Sequence, residues 1–262
     1  MFHFNLSLLA VIFCIMTILS NNYQGIHEAL ILCGGKGTRF SSVREDIPKS
    51  IAPITGRPFI DFLVDDLVNQ GIKRIILATG YMSNLIEEYT HTRNDVEWII
   101  SRELVPLGTG GALKLAENEF NSDPILILNG DSHIEYEIND LVSQFNKNNA
   151  DVVMLLSASS LGSDYGNIFI DSELRVKKFI EKPPKIKKQS YVNSGVYLVS
   201  KTMISKIMPN QCLSLENDLF PYWISMEYNL YSIVTNEQVH DIGTPERYKY
   251  YNVSFKKNKN SS

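Results

Sequence analysis

Residues 29–54 read ALILCGGKGTRFSSVREDIPKSIAPI. An apolar run, EALILC from Glu28 to Cys33, stops at glycines 34, 35 and 37, with Arg39 directly behind them and Lys49 further on. The run reads as a buried strand, because it is continuous, short and ended by turn residues. Glycine permits backbone conformations closed to other residues and lets main-chain N–H groups come close to a ligand. In an open α/β sheet that position, just past the C-terminal end of a strand, is where ligands gather.

Downstream the same alternation continues. RPFIDFLVDDLVNQG (57–71) has helical periodicity, with Pro58 near its start and Gly71 as its stop. IKRIILATG is a strand, SNLIEEYT a short helix with Ser83 as its cap, VEWIIS a strand, and TGGALKLAENEF a helix. PILILNGD, INDLVSQFNKNN and ADVVMLLSAS continue as strand, helix and strand. This rhythm predicts a three-layer α/β/α arrangement around a mostly parallel, Rossmann-like sheet. After residue 160 it changes. YGNIFIDSELRVKKFIEKP reads as two strands joined at Asp171–Glu173, and YVNSGVYLVS as another strand. SLENDLFPYWISM reads as an amphipathic helix, LYSIVTN as a last strand, and TPERYKYYN as a terminal helix capped by Thr244 with Pro245 first.

The chain has 262 residues, is 44% hydrophobic and 21% charged, and carries a net charge of −4. That suits one large domain and argues against a general nucleic-acid binder. Cys14, Cys33 and Cys212 stand far apart, with neither metal-ligand spacing nor a disulfide framework, which points to a reducing compartment. The first 25 residues conflict with this. An apolar run from Leu6 to Leu19 is shorter than the roughly 20 residues of a membrane span, and it lacks the flanks of a signal peptide. A weak anchor, an inefficient signal and an extension from a misassigned start all fit. The last is favoured, with a cytoplasmic location, because the remainder reads as intracellular chemistry. Residues 26–255 are then one domain, with a nucleotide-binding half over about 26–150, a sugar-binding half over about 151–255, and a disordered tail at 256–262.

The glycine loop is suited to phosphate. Its main-chain amides form an anion nest, Arg39 offers a forked donor set, and Lys49 a compact charge. The dinucleotide fingerprint fails, because Phe40 stands at the third glycine, and the ATPase phosphate loop is absent. A flexible surface turn is the bland alternative for a glycine pair alone. With Thr38, Arg39 and the later Pro-Lys pair, phosphate is the stronger reading.

GGKGTRF…IPKS resembles the G-G-x-G-T-R-L…P-K-P signature of sugar-phosphate nucleotidyltransferases, with Phe40 for Leu and Ser50 for the second Pro. The second change is expected to loosen the loop that positions Lys49. The resemblance covers about residues 28–250 and implies a GT-A-like nucleotidyltransferase fold. It also implies transfer of a nucleotidyl group from a nucleoside triphosphate to a sugar 1-phosphate, with release of pyrophosphate. Leu32, Gly34, Gly35, Lys36, Gly37 and Thr38 are implied as nucleotide-binding.

Charge gathers on phosphate during such a transfer, so magnesium held by carboxylates fits the chemistry. Asp131 ends an apolar strand in NGD, and Asp241 precedes a helix cap in DIGTP. Each alone is equally readable as a turn aspartate bonding its own backbone. Both match the contexts in which the resembled family holds its metal. His240 beside Asp241 either tunes the metal's surroundings or packs.

VPLGTGGAL is a second glycine-rich turn, readable as tight helix packing; the resemblance implies that Gly108 and Thr109 contact the base, with Glu103 nearby. FIEKP would be an ordinary solvated strand edge by itself. The resemblance implies that Glu181 binds sugar hydroxyls and Lys182 the sugar's phosphate, with Gly166, Asn193 and Gly195 lining the sugar pocket. The implied catalytic set is Arg39, Lys49, Asp131 and Lys182.

Segments such as PLGTGGAL, LNGDS, SLENDLFP and HDIGTPERY look most like guanylyltransferases acting on D-glycero-α-D-manno-heptose 1-phosphate, which supply GDP-heptose for surface polysaccharides. The implied partners are GTP and a sugar 1-phosphate, with no nucleic acid and with a homo-oligomer left open. Competing readings are a thymidylyl-, uridylyl- or mannose-1-phosphate guanylyltransferase, and a catalytically silent subunit that senses nucleotide sugars.

Overall fold

A computed structural model describes residues 25–35, 37, 40, 46–158, 166–180 and 190–259. The N-terminal apolar run lies outside the described residues, as do Lys36, Thr38, Arg39, Glu181 and Lys182. Among the described residues no helix is long and apolar enough to cross a membrane.

In chain order the elements are β1 (Glu28–Leu32), β2 (Pro53–Ile54), β3 (Arg57–Pro58), α1 (Ile60–Asn69), β4 (Arg74–Thr79), α2 (Ser83–Thr90), β5 (Glu97–Arg102), α3 (Gly108–Leu115), β6 (Ile125–Asn129) and β7 (Ser132–His133). There follow α4 (Ile138–Lys147), β8 (Val152–Ser157), β9 (Asn167–Ile170), β10 (Val176–Ile180), β11 (Tyr191–Val199), α5 (Lys201–Ser205), α6 (Phe220–Ser225), β12 (Leu230–Thr235), β13 (His240–Asp241) and α7 (Pro245–Lys259).

Nine strands form one mixed sheet along the path β10-β9-β11-β6-β1-β4-β5, with β8 beside β11 and β12 beside β8. The expected parallel core holds: β1 pairs in parallel with β4 and β6, and β4 with β5. The antiparallel part comes from β11, which runs against β6, β8 and β9, and from β10, which runs against β9.

Side chains that alternate along these strands explain why both faces are covered. Ala29 and Ile31 of β1, with Ile75, Leu77, Leu126 and Leu128, pack against α1 and α4. Leu30, Ile76, Ile125 and Ile127 point the other way, against Ala112 and Leu113 of α3 and the aromatic pair Phe220 and Trp223. A strand buried on both sides has no polar face to show, which is why β1 reads as continuously apolar. Each buried Leu or Ile among them stabilises the fold by about 1.5–3 kcal/mol.

At the opposite end of β1 from its glycine loop, buried Glu28 pairs with Arg74 at 2.6 Å. The same carboxylate takes the main-chain N–H groups of Asn121 and Ser122, each at 2.6 Å. This clip ties the start of the sheet to the turn entering β6.

Local readings depart from the structure at four places. Ser83 is the first helical residue of α2, not its cap; Met82, with φ 54°, holds the cap position. The segment 214–226 breaks into a π-helical turn, Leu215–Leu219, followed by α6. Ser50 does not loosen its loop: Lys49–Ile51 form a 3-10 turn after Pro48, and Ser50 is only 4% exposed. Helix α7 continues to Lys259, entering the stretch expected as a disordered tail. Thr244 does cap it, its hydroxyl accepting from Arg247 N at 3.3 Å.

Candidate active site

From β1 the chain steps outward through β4 to β5, then returns through α3 to β6 on the other side of β1. Helix α1 covers one face of the sheet and α3 the other. The connections therefore diverge at the C-terminal ends of β1 and β6 and leave a crevice there. A cavity of about 680 Å³ occupies it. Leu32, Gly34, Gly35, Lys49, Glu103, Gly108, Thr109 and Asp131 line it together, so sequence-distant candidates share one space. Gly80, Tyr81, Asn129, Gly130 and the exposed pair Leu104 and Val105 also line it and escaped the sequence reading. The signal for Gly80 was a glycine ending an apolar strand, and for Asn129 its place beside Gly130-Asp131.

Glu103 follows β5 and stands between two glycines. Its Oε2 accepts from Leu107 N at 2.9 Å. A Cβ added at Gly80 would lie 2.5 Å from Glu103 Oε1, and one at Gly34 would lie 2.9 Å from it. Those glycines are thus the space the carboxylate occupies. Burial pushes its pKa above the usual value, against the opposing hydrogen bond from Leu107.

Lys49 reaches from its 3-10 turn to an ion pair with Asp131 Oδ2. Burial works to raise the Asp131 pKa, but the Lys49 charge prevails and holds the carboxyl below its usual range. Asp241 comes to the same place through tertiary structure. The short antiparallel pair β7–β13 sets Asp241 opposite Ser132, and Ile242 N donates to Asp131 O at 3.0 Å. Burial and then the Asp131 charge raise the Asp241 pKa. Gly243 N donates to one of its oxygens, and Arg247 Nη1 to the other at 2.8 Å.

The ladder is braced from behind. His133 Nε2 meets Asp66 Oδ2 at 2.6 Å, and Tyr251 OH meets His133 Nδ1 at 3.2 Å. His240 lies against the Tyr251 ring, with centroids 5.0 Å apart, which is a packing arrangement.

Among the described residues no group of three or more His, Cys, Asp or Glu side chains could hold a metal alone. Asp131 and Asp241 are two hard oxygen donors close enough for the charge of Asp131 to raise the proton affinity of Asp241. As hard oxygen donors they would fit a magnesium ion, which two carboxylates alone would not saturate. Buried Cys33 has its pKa pushed up to about 12 by burial, which makes its thiol a poor nucleophile.

On the sugar side, Asn193 N donates to Gly166 O at 3.0 Å, joining two of the three expected residues through the backbone. Gly195 has φ +81° where β11 shifts register, and a Cβ there would stand 2.9 Å from the Asn129 side chain. Its missing side chain makes room for a cavity residue. Gly108, at φ +71°, cannot carry a Cβ because Leu213 O would lie 2.5 Å from it. The Thr109 hydroxyl is committed to Glu216 at 2.8 Å. Both residues do line the cavity, but packing of the kind expected for a glycine-rich helix start accounts for part of their pattern.

The sequence pattern of the nucleotidyl transferase family matches residues 28–258. A D-glycero-alpha-D-manno-heptose 1-phosphate guanylyltransferase of Campylobacter jejuni is 33% identical over 86% of this chain and 98% of its own. One from Aneurinibacillus thermoaerophilus is 31% identical over 85% and 95%. Among solved structures, HddC from Yersinia pseudotuberculosis superposes with a TM-score of 0.78 at 30% identity, covering 88% of this chain and all of that one. The same protein complexed with GMP-PN gives 0.76 at 31% identity and the same coverage.

Proposed function

The chain belongs to the nucleotidyl transferase family, and from that premise we propose that it joins GTP to a sugar 1-phosphate, namely D-glycero-α-D-manno-heptose 1-phosphate. The products are GDP-heptose and pyrophosphate. The observation that carries this reading is the arrangement of one cavity with Glu103 held between glycine walls and the Lys49–Asp131 pair also on its lining.

Guanine presents two adjacent donors, N1–H and the 2-amino group, on one edge. A fixed carboxylate accepts both, whereas uracil and thymine offer one N–H flanked by carbonyl oxygens that a carboxylate repels. A buried polar group left unpaired by the wrong base costs enough to discriminate strongly. Glu103 is that carboxylate.

At the other end an oxygen of the sugar 1-phosphate attacks the α-phosphorus of GTP. The new P–O bond forms as the bond to the β-phosphate oxygen breaks, and the electron pair leaves with pyrophosphate. No protein nucleophile is required; positioning and charge neutralisation supply the rate. Lys49 offers its ammonium to the phosphates, and Asp131 in turn orients Lys49. Asp131 and Asp241 would hold magnesium, which supplies positive charge to the α-phosphate. We assign Arg39 to the triphosphate, Lys182 to the sugar's phosphate, and Glu181 to its hydroxyls, with Gly166, Asn193 and Gly195 shaping the pocket. The nucleotide-binding half is 26–150 and the sugar-binding half 151–255. The free thiols of Cys33 and Cys212 support a cytoplasmic site of action.

Mass spectrometry of the product from mixed triphosphates and sugar 1-phosphates tests the proposal. A GDP-heptose mass is expected. A uridylyl or thymidylyl sugar would overturn the base assignment, and no nucleotide sugar from any pair would overturn the activity.

A further inference from the structure

After β11 and α5 the chain returns across the start of α3. Leu213 N donates to Leu107 O at 2.8 Å, and Leu213 O accepts from Gly110 N at 2.8 Å. The glycines of α3 let this crossing segment lie directly on the helix. Next comes the π-helical turn Leu215–Leu219, a rare conformation found often at functional positions. It carries Glu216.

Glu216 is half-buried, and among the described residues no Lys, Arg or His pairs with it. Hydroxyl groups hold it instead. Its Oε2 accepts from Thr109 Oγ1 at 2.8 Å and from Ser214 Oγ at 2.9 Å. Its Oε1 faces Tyr197 OH at 3.5 Å. Thr109 lines the nucleotide cavity. Fully buried Tyr197 accepts from Asn193 Nδ2 at 2.6 Å, and Asn193 Oδ1 accepts from Gly195 N at 3.2 Å. One chain of side-chain contacts thus runs Thr109–Glu216–Tyr197–Asn193, from the base-facing helix to the sugar-facing strand. Taking a carboxylate out of water without a cation is costly, so its retention at this junction calls for a role.

We propose that Glu216 is a positioning residue that couples the two substrate sites: nucleotide seated against the first turn of α3 fixes Thr109, and Glu216 passes that constraint through Tyr197 to Asn193 and the sugar pocket. The proposal rests on the guanylyltransferase reading above. Coupling of this kind is a ratio of affinities and is reciprocal between the two ligands. A residue that merely supported the fold would lower both affinities and leave their ratio alone.

The test is calorimetric titration of the full chain with heptose 1-phosphate, with and without a saturating non-hydrolysable GTP analogue. In the unmodified protein the analogue should tighten sugar-phosphate binding by at least about 5-fold, the low end of ordinary coupling. In Glu216→Ala that factor should fall to within about 2-fold of unity, while binding of the analogue alone persists. Glu216→Gln, which still bonds the hydroxyls, should restore most of the factor. Should Glu216→Ala fail to fold, Tyr197→Phe breaks the same chain by removing one oxygen and should lose the coupling too. A full coupling factor in Glu216→Ala, or in Tyr197→Phe, overturns the role of Glu216. Failure of the unmodified protein to bind the GTP analogue overturns the guanylyltransferase reading instead.

Discussion

Replacing Glu103 with glutamine changes one oxygen to an amide nitrogen with almost no change in volume. The side chain packs into the room left by the missing Cβ atoms of Gly34 and Gly80 and is held there by the Leu107 N–H. Leu107 N, at 2.9 Å from Oε2, selects the rotamer: the amide oxygen must face that N–H, which leaves the new NH₂ on the other side. There it meets the donor edge of guanine with donors of its own. A hydrogen bond to a charged group contributes about 1.5–3 kcal/mol. The loss in kcat/KM for GTP should then be about 10- to 150-fold. UTP, whose carbonyls accept from an amide, should lose less or gain. The fold should not suffer. Burial raises the Glu103 pKa, so the charged form is the disfavoured one in the folded chain, and the stability it costs grows as pH rises above the ordinary carboxylate value. Neutral glutamine removes that cost, so the variant should melt at an equal or higher temperature at neutral pH. Steady-state kinetics with GTP and UTP, beside calorimetric melting, decides the matter. A GTP kcat/KM within about twofold of the unmodified enzyme would refute the assignment of Glu103 to the base.

Asp131→Asn should reduce pyrophosphate release by at least about 10²-fold, the scale of removing one electrostatic stabiliser, with the circular dichroism spectrum unchanged. Near-normal turnover would remove Asp131 from the metal site. Glu28→Gln leaves Arg74 with Glu97 at 3.4 Å and the Glu119 carbonyl at 2.6 Å, weakens the contacts to Asn121 and Ser122, and should cost about 1.5–3 kcal/mol in urea unfolding. Burial works to raise the Glu28 pKa, but Ser122 and Arg74 bring it below 4.5 overall, so its contribution is present above that pH and lost as pH falls through the lower folded value. The variant's stability should accordingly fall less steeply in acid, as read by unfolding at a series of pH values. Gly195→Ala places a side chain at φ +81° against Asn129 and should destabilise by about 1–2 kcal/mol from backbone strain alone. A melting temperature unchanged by that substitution would show that β11 adjusts its register shift freely.

Much of the architecture was legible because it is written in local pattern. The apolar run of β1, the helical period of α1, and glycines at the strand ends are decided by neighbours in sequence, whose propensities act within a few residues. Asp131 was legible for the same reason: it follows an apolar strand directly, so its position at the sheet's edge is fixed by chain continuity. Asp241 is different. Its type and flanks suggested a role, but what brings it to Asp131 is the β7–β13 ladder, two residues long and braced through its own His133 by Asp66 and Tyr251 from separate elements. No local signal specifies such a pairing.

The same limit explains the remaining differences. Ser83 has the side chain of a helix cap, yet the preceding Met82 takes up the left-handed conformation and Ser83 is drawn into the buried first turn. SLENDLFPYWISM has one amphipathic period, yet the hydroxyl of Thr109, from another part of the chain, takes Leu215 N at 2.7 Å where the helix winds into its π turn. Composition and period therefore determined the layers, the order of the strands' roles and the chemistry available at their ends. Only packing decided which charges face each other, because the free energy of those contacts depends on distances between segments that the chain alone leaves unconstrained.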